Sequence, residues 1–170
     1  MIMASLSLLP VETAEDITAV TELATEIWTE HFPPIIGAAQ TVYMIKTFQS
    51  AEAVRRQITE DGYQYYLLQS GSDRIGYTAV HPEPENHAMF LSKIYIRKSF
   101  RGRGFSRSTI EFIASLARER GLTMIYLTVN KNNLSSLAVY EKLGFVRARE
   151  LVTEIGHGFV MDDYVMEKYL

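Results

Sequence analysis

Residues 97–107 read RKSFRGRGFSR, which places Arg97, Lys98, Arg101, Arg103 and Arg107 around Gly102 and Gly104. Glycines let a backbone approach a ligand closely, and the unpaired N–H groups of a first helical turn form an anion site at the positive end of the helix dipole. With five cations beside it the anion is polyvalent, and phosphate is the common polyvalent anion that arginine forks grip. A P-loop is excluded because no Gly-Lys-Ser/Thr follows, and the dinucleotide fingerprint is excluded because Arg107 stands where its third glycine belongs. A second constellation lies in VNKNNLSSLAVYEKLGF, where Asn133, Ser136 and Tyr140 fall at i, i+3 and i+7 and would share one face of a helix.

The flanking elements must position these groups. TAEDITAVTELATEIWTEHF has apolar residues at helical spacing, with Thr13 and Asp16 forming a capping box, and FPPIIG breaks that helix. AAQTVYMIKTFQ and SAEAVRRQITEDG read as two shorter helices, so residues 1–62 are mainly helical. From residue 63 the period becomes two. YQYYLLQ, RIGYTAV and AMFLSKIYI are expected to form an antiparallel meander, with a turn at SGSD and a polar loop at HPEPENH. A long helix then follows the glycine junction and closes at Gly121. TMIYLTV reads as a buried strand, NLSSLAVYEKLG as a short helix ending at Gly144, and the remainder as two strands around a GHG turn. If the strand at 123–129 lies beside that at 89–96, the second constellation starts near the glycine junction. The expected fold is α/β of the α+β type, a mixed, mostly antiparallel twisted sheet with helices on both faces. It is expected to form a single domain over 1–170, with 1–62 on the acceptor side and 63–170 as the core.

Composition narrows the chemistry. The chain has 170 residues, a net charge of -3 and 47% hydrophobic residues, enough for one real core. It has no cysteine, and His31, His81, His87 and His157 show no metal-ligand spacing, so no metal is expected. No apolar run approaches the roughly 18 residues of a membrane span, and MIMASLSLLPVETAED lacks the features of a secretory leader. A cytoplasmic protein without a membrane partner is the expectation.

The residues resemble the GNAT superfamily of N-acetyltransferases. Its pyrophosphate motif has the form Arg/Gln-x-x-Gly-x-Gly/Ala, and Arg101-Gly102-Arg103-Gly104-Phe105-Ser106 fits at every position except the last. NNLSSLAVYEKLGF is similar to that family's Asn-containing helix, and GFVMDDYVMEK to its C-terminal strand, so the likeness spans roughly 63–170. It implies acetyl-CoA as co-substrate, with backbone groups of Ile94, Tyr95 and Ile96 on the pantetheine arm and an oxyanion-binding amide among them. It also implies Gly102 to Arg107 on the pyrophosphate, Asn133 beside the pantetheine, and Tyr140 as the acid that protonates the departing thiolate. The acceptor would be a small-molecule or protein amine, and a homodimer is among the arrangements implied. Ser106 departs from the pattern: its hydroxyl either donates to the phosphate or caps the helix.

Trp28, Phe32 and Tyr43 could line an acceptor pocket or belong to the core. Glu26, Glu30 and His31 are candidate bases on a helix face that is otherwise simply solvated. His81 and His87 flank the polar loop and are expected to face water. Asp162 and Asp163 could attract a cationic acceptor, at most one of them, because adjacent strand residues point to opposite faces. Three function classes follow: an amine acetyltransferase, a CoA-binding sensor without turnover, and a nucleic-acid-binding module. The net negative charge and the confinement of the cations to one turn argue against nucleic acid.

Overall fold

The computed structural model describes residues 5–170. Residues 1–4, which open the stretch expected to lack a leader, lie outside the described residues. Packing groups the chain into two compact units, one of the chain up to His81 with Lys93–Ile113, the other of Pro82–Ser92 with Ala114–Leu170.

In the first unit, α1 (Ala14–His31) begins at the expected capping box: the Thr13 hydroxyl accepts from Asp16 N, and the Asp16 carboxylate accepts from Thr13 N. Ile17, Val20, Leu23, Ala24, Ile27 and Trp28 are its buried stripe. FPPIIG does more than break the helix. Prolines fit a first turn, where their missing N–H groups cost nothing, so Pro33–Ile36 winds into a short α2 that ends at Gly37, φ 85°. Helices α3 (Ala38–Phe48) and α4 (Ala51–Thr59, capped by Ser50) follow. Strands β1 (Leu6–Pro10), β2 (Gln64–Ser70) and β3 (Asp73–Glu83) pair antiparallel in sequence, β2 and β3 through a tight turn at Gly71 and Ser72. β3 runs three residues into the expected polar loop before a 3₁₀ turn at Pro84–Asn86. His81 is therefore on a strand, partly buried against Tyr63 with ring centroids 4.8 Å apart, which corrects the expectation that it faces water. His87 is exposed.

Strand β4 (Ala88–Ile96) contributes to both units, and α5 (Phe105–Glu119) follows the glycine junction. In the second unit β4 pairs in parallel with β5 (Met124–Asn130) at Ala88↔Met124, Met89↔Ile125 and Phe90↔Tyr126. The ladder stops there, although β5 continues to Asn130. β7 (Phe159–Tyr169) pairs antiparallel with β5 and with β6 (Val146–Gly156), and α6 (Leu134–Lys142) joins β5 to β6. Asn133 is not a helical residue as its spacing suggested. It is the N-cap of α6, buried, with its carbonyl accepting from Leu137 N at 3.0 Å. Hydrogen bonding orders the sheet β1-β2-β3-β4-β5-β7-β6, mixed and mostly antiparallel. The strand β6 at its end is exposed on both faces along nearly its whole length. No helix among the described residues is long and apolar enough to cross a membrane.

Candidate active site

The chain turns from β4 into α5 through a 3₁₀ turn at Lys98–Phe100 and the two glycines. Gly102 and Gly104 both hold left-handed backbone, φ 76° and 82°, which side-chain-bearing residues rarely adopt, and a Cβ at either would meet nothing within 4 Å. Gly104 is the N-cap residue of α5, since its carbonyl accepts from Ser108 N at 3.1 Å. The N–H groups of Phe105, Ser106 and Arg107 therefore precede the first intrahelical bond. The first turn of α5 carries no acidic residue, so nothing opposes an anion there. Ser106 sits inside that turn and not at the cap, which removes the capping alternative for its hydroxyl.

The loop is held from below. Phe105 is 4% exposed and packs with Leu68, Ile75 and Ile96, flanked by Leu6, Leu8 and Phe100. Arg101 folds back so that Nε donates to the Ile96 carbonyl at 2.9 Å. Arg103 lies over the Phe100 ring, 5.2 Å from its centroid. Arg97 forms a forked ion pair with Glu26 at 2.8 and 3.3 Å, which engages one of the candidate bases. Both line an open cleft of about 630 Å³ with Glu22, Asp73 and Arg74. Lys98 and Arg107 are exposed.

The side chains of β4 divide sharply. Tyr95 enters an aromatic cluster with Trp28 (5.4 Å), Tyr77 (5.4 Å) and Phe32 (6.2 Å), in which Trp28 stacks on Phe32 at 4.1 Å. Trp28 and Phe32 are buried, so these aromatics serve the core. Tyr43 is half-buried, edge-on to Phe48. Glu30 is exposed, and His31 stands edge-on to Phe32 at 5.0 Å.

Lys93, two residues before Tyr95, was not singled out by the sequence. It is 6% exposed, and its ammonium donates to the Phe48 carbonyl (2.9 Å), Gln57 Oε1 (3.2 Å) and the Tyr65 hydroxyl. All three acceptors are neutral, and burial lowers its pKa from the ordinary 10.5 to about 7. The signal was a lysine inside an apolar strand run. Lys93→Met should cost little stability at pH 7, since the Phe48 carbonyl still accepts from Gln57 Nε2 and Gln57 Oε1 from the Tyr65 hydroxyl, so no acceptor is orphaned. The sign of the pH dependence follows from the depressed value. The cost of burying the charge is in full force below about pH 7 and fades toward 10.5, so wild-type stability should climb through that window while the variant's does not. Urea unfolding at both ends of the window reads this.

In the second unit Asn133 closes the β5–α6 turn, with its N–H donating to the Asn130 carbonyl at 3.0 Å and Ser135 Oγ donating to its Oδ1 at 3.5 Å. Tyr140 is half-buried on α6, edge-on to Phe145 at 5.8 Å. Burial raises its phenol well above the ordinary value, so it carries its proton at neutral pH. The aspartate pair is sorted as strand alternation requires: Asp162 is exposed and bridges Lys131 at 2.8 Å, whereas Asp163 is buried. No group of three or more histidine and carboxylate side chains among the described residues is arranged to hold a metal.

Comparison with known proteins identifies the family. The model of the acetyltransferase (GNAT) family matches residues 18–145. An uncharacterized N-acetyltransferase of Lactobacillus delbrueckii subsp. lactis is 27% identical over 67% of this chain and 69% of its own length. Among solved structures, the PaiA N-acetyltransferase of Thermoplasma acidophilum in complex with coenzyme A superposes with a TM-score of 0.78 at 18% identity, covering 98% of this chain and 99% of that one. A GCN5-related N-acetyltransferase structure from Rhodopseudomonas palustris gives 0.82 at 15%, covering 100% and 99%. A family model that spans residues 18–145 settles the kinship: the chain belongs to the acetyltransferase (GNAT) family and is an N-acetyltransferase.

Proposed function

We propose that the protein transfers an acetyl group from acetyl-CoA to a primary amine by direct attack of the amine on the thioester. The observation that carries this reading is the turn from β4 into α5, where two left-handed glycines border open space, three amides precede the first intrahelical bond and the first turn of the helix carries no acidic residue. Those features suit a pyrophosphate, and the amides of Gly102 to Arg107 would hold it, with the Ser106 hydroxyl donating as well. Acetyl-CoA supplies the activated acyl group.

The remaining roles belong to the chain. Backbone groups of Ile94, Tyr95 and Ile96 would pair with the pantetheine arm, and an amide among them would meet the developing oxyanion, a contact worth roughly 3 to 4 kcal/mol in other enzymes. Asn133 would hydrogen-bond the pantetheine. Tyr140, kept protonated by burial, would give its proton to the departing sulfur. The amine class is also what similar proteins name: a streptothricin acetyltransferase of Streptomyces lavendulae is 27% identical over 50% of this chain, and a spermidine N-acetyltransferase from Vibrio cholerae shares the fold with a TM-score of 0.69.

Gly104→Val tests the cofactor site. A β-branched residue is strained at φ 82°, and its side chain would enter the space above the amides. Calorimetric titration should show CoA binding lost in a variant that still melts cooperatively. Unchanged affinity would refute the placement. A thiol-release screen of amine classes with acetyl-CoA then identifies the acceptor, and tight CoA binding without turnover of any amine would make the protein a sensor.

A further inference from the structure

The five cationic side chains around the glycine turn fall into two groups. Two are engaged by the protein itself: Arg101 Nε donates to the Ile96 carbonyl at 2.9 Å, and Arg97 forks onto Glu26 at 2.8 and 3.3 Å. The other three are not. Lys98, Arg103 and Arg107 are exposed, and their side chains make no hydrogen bond or ion pair among the described residues. In the sequence no acidic residue falls between Glu85 and Glu111, so the turn has no carboxylate of its own to offset them. Like charges gathered in this way repel one another until an anion joins them. All of these groups, Glu26 included, belong to one compact unit.

A pyrophosphate does not require the three. The amides of the turn and the positive end of α5 meet it with backbone groups. Coenzyme A carries a third phosphate, the 3′-phosphomonoester of its ribose, and a phosphomonoester holds about 1.5 to 2 negative charges at pH 7 on three strong acceptor oxygens. That group calls for guanidinium forks. Arg103 and Arg107 bracket the cap residue Gly104, one directly before it and the other in the first turn of α5. Arg103 is also ordered in advance. It lies over the Phe100 ring at 5.2 Å, and that ring packs on the cluster of Leu68, Ile75, Ile96 and Phe105, so less freedom remains to be lost on binding. Lys98 sits on the strand side of the turn, in the 3₁₀ segment, and offers a point charge without a fork.

We propose that Arg103 and Arg107 are specificity-determining residues that read the 3′-phosphate of coenzyme A, so that the protein selects CoA thioesters over acyl donors whose pantetheine arm lacks that group. This role rests on the acetyl-transfer reading and on its placement of the pyrophosphate.

The test is calorimetric titration with CoA and with dephospho-CoA, which differs only in lacking the 3′-phosphate. Wild-type protein should bind dephospho-CoA about 10 to 10²-fold more weakly, the range that charge-assisted hydrogen bonds supply. Added salt should erode that preference, because the arginines are exposed. A double variant, Arg103→Gln with Arg107→Gln, keeps every backbone amide. It should bind the two ligands equally, at the wild-type affinity for dephospho-CoA, and its melting temperature should hardly move. Should the double variant not fold, Arg107→Gln alone disturbs no ring contact and should show a partial loss confined to CoA. Equal wild-type affinities for the two ligands would overturn the role. A variant that loses affinity for both by the same factor would overturn it too, and would assign the arginines to the pyrophosphate. Wild-type protein that binds neither ligand would overturn the cofactor placement itself.

Discussion

Replacing Tyr140 by phenylalanine should lower kcat by about 10² to 10⁴-fold, equivalent to about 3 to 5 kcal/mol of barrier. The substitution keeps the ring and its edge-on contact with Phe145. The phenol has no hydrogen-bond partner among the described residues, so its removal orphans nothing there, and stability and CoA affinity should hardly change. The loss should therefore fall on the chemical step, the pattern of an interaction made only in the transition state. Because burial holds the phenol well above its ordinary value, wild-type activity should show no alkaline limb from Tyr140 in the neutral range. Where product release limits turnover, the steady-state loss shrinks and single-turnover measurements expose it. An unchanged single-turnover rate in a well-folded variant would remove Tyr140 from the proton path and leave water as the donor to sulfur.

The largest structural effect should come from one methyl group. At Gly76 on β3 a Cβ would stand 2.0 Å from the carbonyl oxygen of Tyr95 and 3.1 Å from Ile96 Cα. Both are backbone atoms, which cannot swing aside as a side chain can, so Gly76→Ala must push β3 off β4. The damage is local to what matters. Arg97 N donates to the Ile75 carbonyl at 2.7 Å, and Ile75 and Ile96 pack on Phe105, the anchor under the glycine turn. We expect a loss of about 3 kcal/mol or more, a drop of roughly 6 to 12 °C in melting temperature for a chain of this size, with weakened CoA binding in what remains folded. Thermal unfolding followed by circular dichroism checks it. A melting temperature within a degree of wild type would mean that the two strands have slack which the observed approach denies.

Local signals carried much of this architecture in the sequence. AMFLSKIYI spans β4 to the residue because its flanks are a loop and a glycine turn, and RGRGF requires the left-handed backbone that Gly102 and Gly104 adopt. What stayed hidden depends on partners distant in sequence. Period-two patterning puts Lys93 on the face of Met89 and Leu91 without saying what its ammonium meets, and only the convergence of Phe48, Gln57 and Tyr65 shows how it is enclosed. Alternation says that Asp162 and Asp163 face opposite ways. Which one is buried is decided by the register of β7 against Asn130 and Leu151. His81 was misjudged because prolines on both sides of Glu83 read as loop, although Pro82 is tolerated inside β3 and carries the strand past it. Asn133 fitted a helical spacing as well as it fits a cap, since both begin at the same residue.

β6 closes the strand order, so one of its two edges has no strand partner among the described residues, and Val146 and Val152 stand 56% and 63% exposed on it. An extended apolar border of this kind is a template on which other chains can lay down strands. Two devices blunt it. Register shifts at Arg147/Arg149 and Glu154/Gly156 break its straightness at either end, and Arg147, Arg149, Glu150 and Glu154 put charge on what would be the mating surface. With a net charge of only -3 to keep molecules apart, colloidal behaviour at high concentration falls on those four side chains. Salt screens that net charge and leaves the valines untouched, so concentrated stocks should cloud first as ionic strength rises.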